Sequence, residues 1–104
     1  MTFRVQFTPE AADDLVRLFD FVIERELTRG GDIDLAQLAL DAIRRGIDTL
    51  RWTPFTCRKA GASPFMRELV IPFGSTGYVA LFEVVDDRTV VLAAVRHQRE
   101  DDYH

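Results

Sequence analysis

Three side chains that could do chemistry follow an apolar run near the end of the chain. Arg96, His97 and Arg99 come directly after Val90–Val95. A histidine titrates near neutral pH and can therefore move a proton, and a guanidinium can hold a phosphate or carboxylate through two hydrogen bonds. In a strand, His97 and Arg99 lie on one face and Arg96 on the other. The alternative is a strand that leaves the core and continues into a solvated tail.

The residues after this group are Glu100, Asp101, Asp102, Tyr103 and His104. Their three carboxylates would repel a phosphate brought to them, so the tail alone does not favour a nuclease. Terminal residues are also commonly frayed.

A second group of basic residues lies in the middle of the chain. Residues 51–67 contain four basic groups and no acidic one: Arg51, Arg58, Lys59 and Arg67. Arg67 has apolar neighbours on its own face of the predicted strand. This setting predicts either a guanidinium that pairs with Glu83 or one that binds a phosphate or carboxylate on an exposed sheet face. Arg58 and Lys59 are expected in a solvated loop. Their charges favour a lowered pKa for the neighbouring Cys57, although no catalytic partner for that thiol is visible.

Composition excludes several classes of protein. A single cysteine and two separated histidines argue against a disulfide and a zinc cluster, and no glycine-rich phosphate loop or other cofactor motif occurs. The net charge of −4 repels nucleic acid on average. The apolar run at 90–95 is far shorter than the roughly 20 residues of a membrane-spanning helix. We therefore expect one cytoplasmic domain over residues 1–104, without metal, cofactor or membrane contact.

The elements that would position these residues follow from periodicity and from turn signals. Alternation predicts strands, apolar spacing of three and four predicts helices, and Gly30-Gly31 and Pro54 end the helices. The predicted elements are a strand at 3–7, a helix at 9–28, a helix from Asp32 or Asp34 towards Pro54, a loop at 53–64, and strands at 65–71, 77–85 and 89–97. This β-α-α-β-β-β order predicts an α+β fold, with an αα-hairpin packed on a mostly antiparallel sheet. The last strand is apolar on both faces and should be central, and Gly46 within the second helix suggests close packing.

Several segments together resemble one family. They are Phe3–Phe7 with Thr8-Pro9-Glu10-Ala11-Ala12-Asp13-Asp14-Leu15, the helix that ends near Pro54, Met66-Arg67-Glu68-Leu69, Tyr78–Phe82 and Val95-Arg96-His97-Gln98-Arg99-Glu100. In this order and over essentially the whole chain they resemble the RelE/ParE superfamily of bacterial toxins. The resemblance implies a type II toxin–antitoxin system, a ParD-like antitoxin partner and a toxin–antitoxin hetero-oligomer, and leaves a toxin dimer open.

Two activities compete within that superfamily. RelE-like members cut mRNA on the ribosome, and the residues carried over for this endoribonuclease are Arg67, Arg96, His97 and Tyr103, with His104 as an alternative to Tyr103. ParE-like members poison DNA gyrase without chemistry of their own. An acidic pI near 5.1 is unfavourable for binding the ribosome. We therefore expect the ParE-like activity, with an inactive antitoxin-binding module as a further alternative. The target or the antitoxin would contact Arg58, Lys59, Arg67, Arg96, His97 and Arg99.

Overall fold

Two helices pack on one face of a five-stranded sheet. The computed structural model describes residues 2–61 and 63–99. Within these residues the elements are β1 (Arg4–Phe7), α1 (Pro9–Arg29), α2 (Asp34–Asp48), β2 (Arg58–Lys59), β3 (Met66–Phe73), β4 (Thr76–Val84) and β5 (Thr89–His97). The α+β prediction is confirmed, and the first helix and the long strands lie within two residues of their predicted bounds. The second helix, predicted to run towards Pro54, ends at Asp48, and a 3-10 turn at Thr49–Arg51 follows it.

Local signals at both ends determine α1. The side chain of Thr8 accepts a hydrogen bond of 3.1 Å from the N–H of Ala11, and Pro9 occupies the first helical position, where its missing N–H costs nothing. Gly30 then adopts a left-handed conformation with φ 67°, and the N–H of Gly31 donates to the carbonyl of Glu26. This C-terminal turn ends α1 where the sequence predicted.

Close packing holds α2 against the sheet. The carboxylate of Asp32 accepts from the N–H of Asp34 before the helix begins. A Cβ placed on Gly46 would lie 2.8 Å from Cγ1 of Ile71 on β3. The close approach expected at Gly46 is therefore confirmed, and glycine at this position lets helix and sheet touch.

The strand order is β1-β5-β4-β3-β2, with a parallel β1–β5 pair and antiparallel neighbours elsewhere. The apolar β5 is paired on both sides and is an interior strand, although the central strand of the five is β4. A bulge at Ala93 shifts its register against β4. The largest fully buried side chains come from both layers: Phe82, Ile43, Leu50, Leu92, Val90, Val95 and Pro54.

The segment predicted as a loop at 53–64 contains more structure than its composition suggests. A single 3-10 turn at Pro54–Thr56 leads into β2, which pairs with β3 and places Arg58 opposite Glu68. The predicted loop is thus wrong for Arg58 and Lys59, which form β2, although both residues are exposed as expected. The cause is the complementary strand across from them, which a local pattern of turn-forming residues does not reveal.

Candidate functional site

A pocket with an apolar floor and cationic walls lies between α1 and the adjacent ends of β4 and β5. It encloses about 350 Å³. Tyr78 and His97, which are register partners, form its sheet side. The helix side comes from residues spaced as on one face of α1, and the full lining is Arg17, Leu18, Phe21, Val22, Arg25, Tyr78, His97 and Arg99. We call this the cationic pocket.

Its helical arginines are held in place by neighbouring groups. Arg17 lies 3.6 Å from a carboxylate oxygen of the buried Asp14 and donates to the carbonyl of Val95. Arg25 lies 3.5 Å from Glu26, and its guanidinium sits 5.9 Å from the ring centre of Phe21. With Arg99 at the rim, three guanidinium groups surround an apolar floor. Such a pocket suits an anionic group carried on an apolar body.

His97 is fixed in one tautomer. The N–H of Arg99 donates to its Nδ1 at 3.1 Å, so Nδ1 carries no proton in this arrangement. Nε2 is then protonated and donates to Oγ1 of Thr76, also at 3.1 Å. The imidazole additionally makes an edge-to-face contact with Tyr78, with ring centres 5.5 Å apart. Both ring nitrogens are therefore engaged within the chain, which favours a positioning role over proton transfer.

The phenol of Tyr78 is also constrained by its surroundings. Burial raises its pKa above the ordinary value, and the nearby positive charge of Arg25 opposes part of that rise. Tyr78 therefore stays neutral near physiological pH and contributes an uncharged phenol to the pocket.

The sheet face away from the helices carries a different cationic group. Glu68 on β3 lies between two guanidiniums, with Nε of Arg58 at 3.2 Å and Nη2 of Arg96 at 3.9 Å from its carboxylate. The side chains of Glu68 and Arg96 are only 17% and 15% exposed. The structure thus brings Arg58 and Arg96 together around a carboxylate, on the face opposite His97.

Arg67 ties the preceding turn to the edge of the sheet. Its Nη1 donates to the carbonyls of Phe55 at 3.2 Å and Cys57 at 2.7 Å, and the guanidinium lies 5.2 Å from the ring centre of Phe55. The expected pairing with Glu83 is wrong, because Arg67 is in register with Phe82 on the helix-facing side. Successive side chains alternate faces, so Glu83 projects from the other side.

The thiol of Cys57 is not activated. Burial raises its pKa, and the charge of Arg67 offsets only part of this. The lowered pKa expected from Arg58 and Lys59 is therefore wrong, since desolvation of the thiol is the larger effect.

The residues predicted for a nuclease do not converge. Arg67 on β3 and His97 on β5 flank opposite sides of β4. Their register partners on β4 are four residues apart. Standard strand dimensions then separate their Cα atoms by roughly 16 Å. Arg96 lies on the opposite face, Lys59 is exposed on β2, and Tyr103 and His104 lie outside the described residues. Among the described residues, His97 and Arg99 share the cationic pocket.

Sequence reasoning missed Arg17, Arg25 and Tyr78. Arg17 pairs with the buried Asp14, three residues before it on α1. Arg17, Phe21 and Arg25 recur at four-residue intervals, and this spacing is the signal that could have placed them on one face of α1.

Within residues 2–61 and 63–99, no group of three or more side chains is arranged to hold a metal ion. No helix in that part of the chain is long and apolar enough to cross a membrane.

Comparison with known proteins identifies the family through a family model and a similar fold through a solved structure. The family model for the ParE toxin of the type II toxin–antitoxin system parDE matches residues 5–102. A solved structure described as a chromosomal ParDE toxin–antitoxin system from P. aeruginosa has 18% sequence identity and a TM-score of 0.70, covering 91% of this chain and 95% of that one. No curated protein matches the sequence significantly.

Proposed function

The chain belongs to the ParE toxin family of type II toxin–antitoxin systems, and from that premise we propose that it inhibits growth by binding and poisoning DNA gyrase. In this proposal it acts in the cytoplasm through protein–protein contact, and a cognate antitoxin neutralises it within a hetero-oligomer. Family membership over residues 5–102 is the observation that carries the proposal.

The distribution of basic residues supports gyrase rather than the ribosome as the target. A nuclease needs its phosphate-binding and proton-transferring groups around one reacting atom. Arg67 binds main-chain carbonyls, Arg96 faces away from His97, and His97 uses both ring nitrogens internally. This arrangement supports an inhibitor that works by binding.

The cationic pocket is the surface that we assign to the target. Arg25 and Arg99 lie at an accessible mouth above Leu18 and Phe21, which suits an acidic side chain on a partner protein. Removing the charges of Arg25 and Arg99 should weaken the complex with the partner protein most strongly if the partner's acidic side chain is buried in the interface. We therefore propose that the pocket holds a carboxylate of gyrase.

The decisive experiment compares two assays on the purified chain. Gyrase supercoiling should be inhibited and the gyrase–DNA cleavage complex should accumulate, whereas translation on purified ribosomes should continue without cuts in the mRNA. Arg25→Glu with Arg99→Glu should relieve gyrase inhibition, and Arg45→Glu, exposed on α2, is the matched control. Ribosome-dependent mRNA cleavage would establish the nuclease instead, and inactivity in both assays would leave an antitoxin-binding module.

The antitoxin is tested separately. A short ParD-like reading frame next to the gene should encode a protein that co-purifies with the chain and restores growth. Failure of co-purification with a folded product of that frame would overturn this part of the proposal.

A further inference from the structure

A second pocket, with aromatic and acidic walls, lies at the end of the sheet where β4 turns into β5. It encloses about 540 Å³. Three phenylalanines and three carboxylates give the lining its character: Phe3, Phe55, Phe65, Glu83, Asp86 and Asp87. We call this the aromatic pocket. Tyr78 in the cationic pocket and Val84 in the aromatic pocket are six residues apart on β4, which separates the two pockets by roughly 20 Å.

Main-chain hydrogen bonds hold the aromatic floor in place. The N–H of Phe3 donates to the carbonyl of Arg51 at 2.7 Å, and the carbonyl of Phe65 accepts from the N–H of Val84 at 2.9 Å. The rings of Phe3 and Phe55 meet edge to face, with their centres 6.3 Å apart. Phe55 and Phe65 nevertheless remain 52% exposed each. The floor is therefore formed without a partner, and covering its two half-exposed rings is favourable.

Two carboxylates of the aromatic pocket are available to a partner. Asp86 serves the turn, since it accepts a hydrogen bond of 2.8 Å from the N–H of Arg88, and this bond lowers the pKa of its carboxyl. Glu83 and Asp87 form no ion pair within residues 2–61 and 63–99. The lining that those residues provide contains no lysine or arginine. The aromatic pocket thus presents uncompensated negative charge beside apolar surface.

These walls suit a guanidinium better than an ammonium. A guanidinium stacks on an aromatic ring and forms paired hydrogen bonds with a carboxylate, whereas an ammonium is a strongly hydrated point charge. In the chain itself, the guanidinium of Arg67 lies 5.2 Å from the ring centre of Phe55, so this ring already accepts a cation. A guanidinium alone would leave Phe65 in contact with water. An occupant that also carries an apolar side chain therefore fits best.

A second copy of this chain is disfavoured as the occupant. The arginines on α1 that line the cationic pocket are held by their own neighbours, Arg17 by Asp14 and Arg25 by Glu26. A contact between the two different ends of the sheet would also not close on itself, and it would build open chains of molecules.

We propose that the aromatic pocket binds a segment of a partner protein in which an arginine lies next to an apolar residue. The apolar side chain covers Phe55 and Phe65, and the guanidinium pairs with the carboxylates of Glu83 and Asp87. The inference goes beyond the proposed function, because it requires neither gyrase nor the antitoxin. The cationic pocket stays free at the other end of β4, so the chain can hold two groups of opposite charge at once.

The test uses the full chain and a labelled, end-blocked pentapeptide with the sequence glycine-arginine-tryptophan-arginine-glycine, followed by fluorescence anisotropy. A matched peptide with citrulline in place of both arginines keeps their size but carries no charge, and it should bind at least about tenfold more weakly. In NMR spectra the arginine peptide should shift the amide signals of Glu83, Val85 and Asp87. The signals of Tyr78 and His97, at the other end of the sheet, should stay unchanged.

Variants of the chain locate the binding site. Glu83→Gln with Asp87→Asn should weaken binding of the arginine peptide by about tenfold. Asp13→Asn with Asp20→Asn, at exposed positions of α1, removes the same amount of charge elsewhere and should leave the affinity nearly unchanged. Phe65→Leu keeps an apolar side chain but removes the ring, and it should weaken binding by about threefold.

Equal binding of the arginine and citrulline peptides, or equal losses in the two acidic double variants, would overturn the inference. Spermidine binding at the same carboxylates more tightly than the peptide would assign the aromatic pocket to a free polyamine instead. Self-association in sedimentation that Glu83→Gln with Asp87→Asn abolishes would assign it to a second copy. Arg25→Glu with Arg99→Glu, which tests the gyrase contact, should still bind the peptide, so the two proposals fail separately.

Discussion

The carboxylate of Asp14 on α1 accepts a hydrogen bond of 2.9 Å from the main-chain N–H of Val95 on β5. This contact replaces a missing strand. β1 pairs with β5 only as far as Phe7 opposite Leu92, so the rest of that edge of β5 has no neighbouring strand. The hydroxyl of Thr8 donates to the carbonyl of Ala93 at the bulge, and Asp14 accepts from the next free N–H. Helix side chains thereby complete the sheet.

Replacing Asp14 with alanine should therefore destabilise the fold. The side chain of Asp14 is only 6% exposed, and its removal leaves the N–H of Val95 buried without an acceptor. The expected loss is about 1–3 kcal/mol in the free energy of unfolding. Urea denaturation measures it, with the exposed Asp13→Ala as the control and Asp14→Asn as an intermediate case. Equal stability of the Asp14 and Asp13 variants would contradict the assigned role.

Gly46→Ala should destabilise the chain although alanine favours helices. The gain in helix propensity is about 1 kcal/mol. The added Cβ would approach Cγ1 of Ile71 to 2.8 Å, and forcing it into a packed core costs typically 1–3 kcal/mol. We expect a lower melting temperature in thermal unfolding.

A double-mutant cycle identifies the cause. Ile71→Ala removes the atoms that the new methyl group meets, so Gly46→Ala should be less costly, or even stabilising, in that background. Additive effects of the two changes would show that Ile71 is not the obstacle.

Alkaline pH should weaken the fold partly through Tyr78. Because burial raises the pKa of its phenol, the native state keeps a proton that the unfolded chain loses. Stability is therefore lost as pH rises from the ordinary tyrosine pKa of 10.0 through the raised value. Denaturant unfolding of the Tyr78→Phe variant should show a shallower decline over this interval. A Tyr103→Phe variant, which leaves Tyr78 as the only tyrosine, allows its titration to be followed by absorbance. A midpoint at or below 10.0 would refute the assignment.

His97→Ala should retain toxicity when soluble protein levels are matched. Its ring nitrogens bind Thr76 and the main chain of Arg99, so its loss should affect the turn after β5 rather than a chemical step. Growth inhibition after induction provides the measurement, and Thr76→Val, which removes only the Nε2 partner, is a milder comparison. Because His97 also lines the cationic pocket, loss of toxicity in a folded His97→Ala chain would favour the nuclease only if the wild-type chain cleaves mRNA on the ribosome.

The sequence predicted the elements better than the site. Caps at Thr8 and Gly30 and the continuous apolar run in β5 are local signals, and the structure follows them. The predicted strand at 65–71 stops before Pro72, yet β3 continues to Phe73 because Pro72 lies at an outer edge where no N–H is required. The partners of Arg58 and Arg67 depend on strand register, which links residues ten or more positions apart. No local pattern specifies that register, so these ion pairs and carbonyl contacts could not be predicted.

The parallel pairing of β1 with β5 also affects how the protein is made. Val5 lies beside Val90, and Thr8 contacts Ala93 across 85 positions of sequence. A nascent chain cannot complete its core until β5 has left the ribosome, because the strand between β1 and β4 is synthesised last. We therefore expect products terminated before Thr89 to remain unfolded and harmless, so that the activity of the toxin appears only once β5 has been translated.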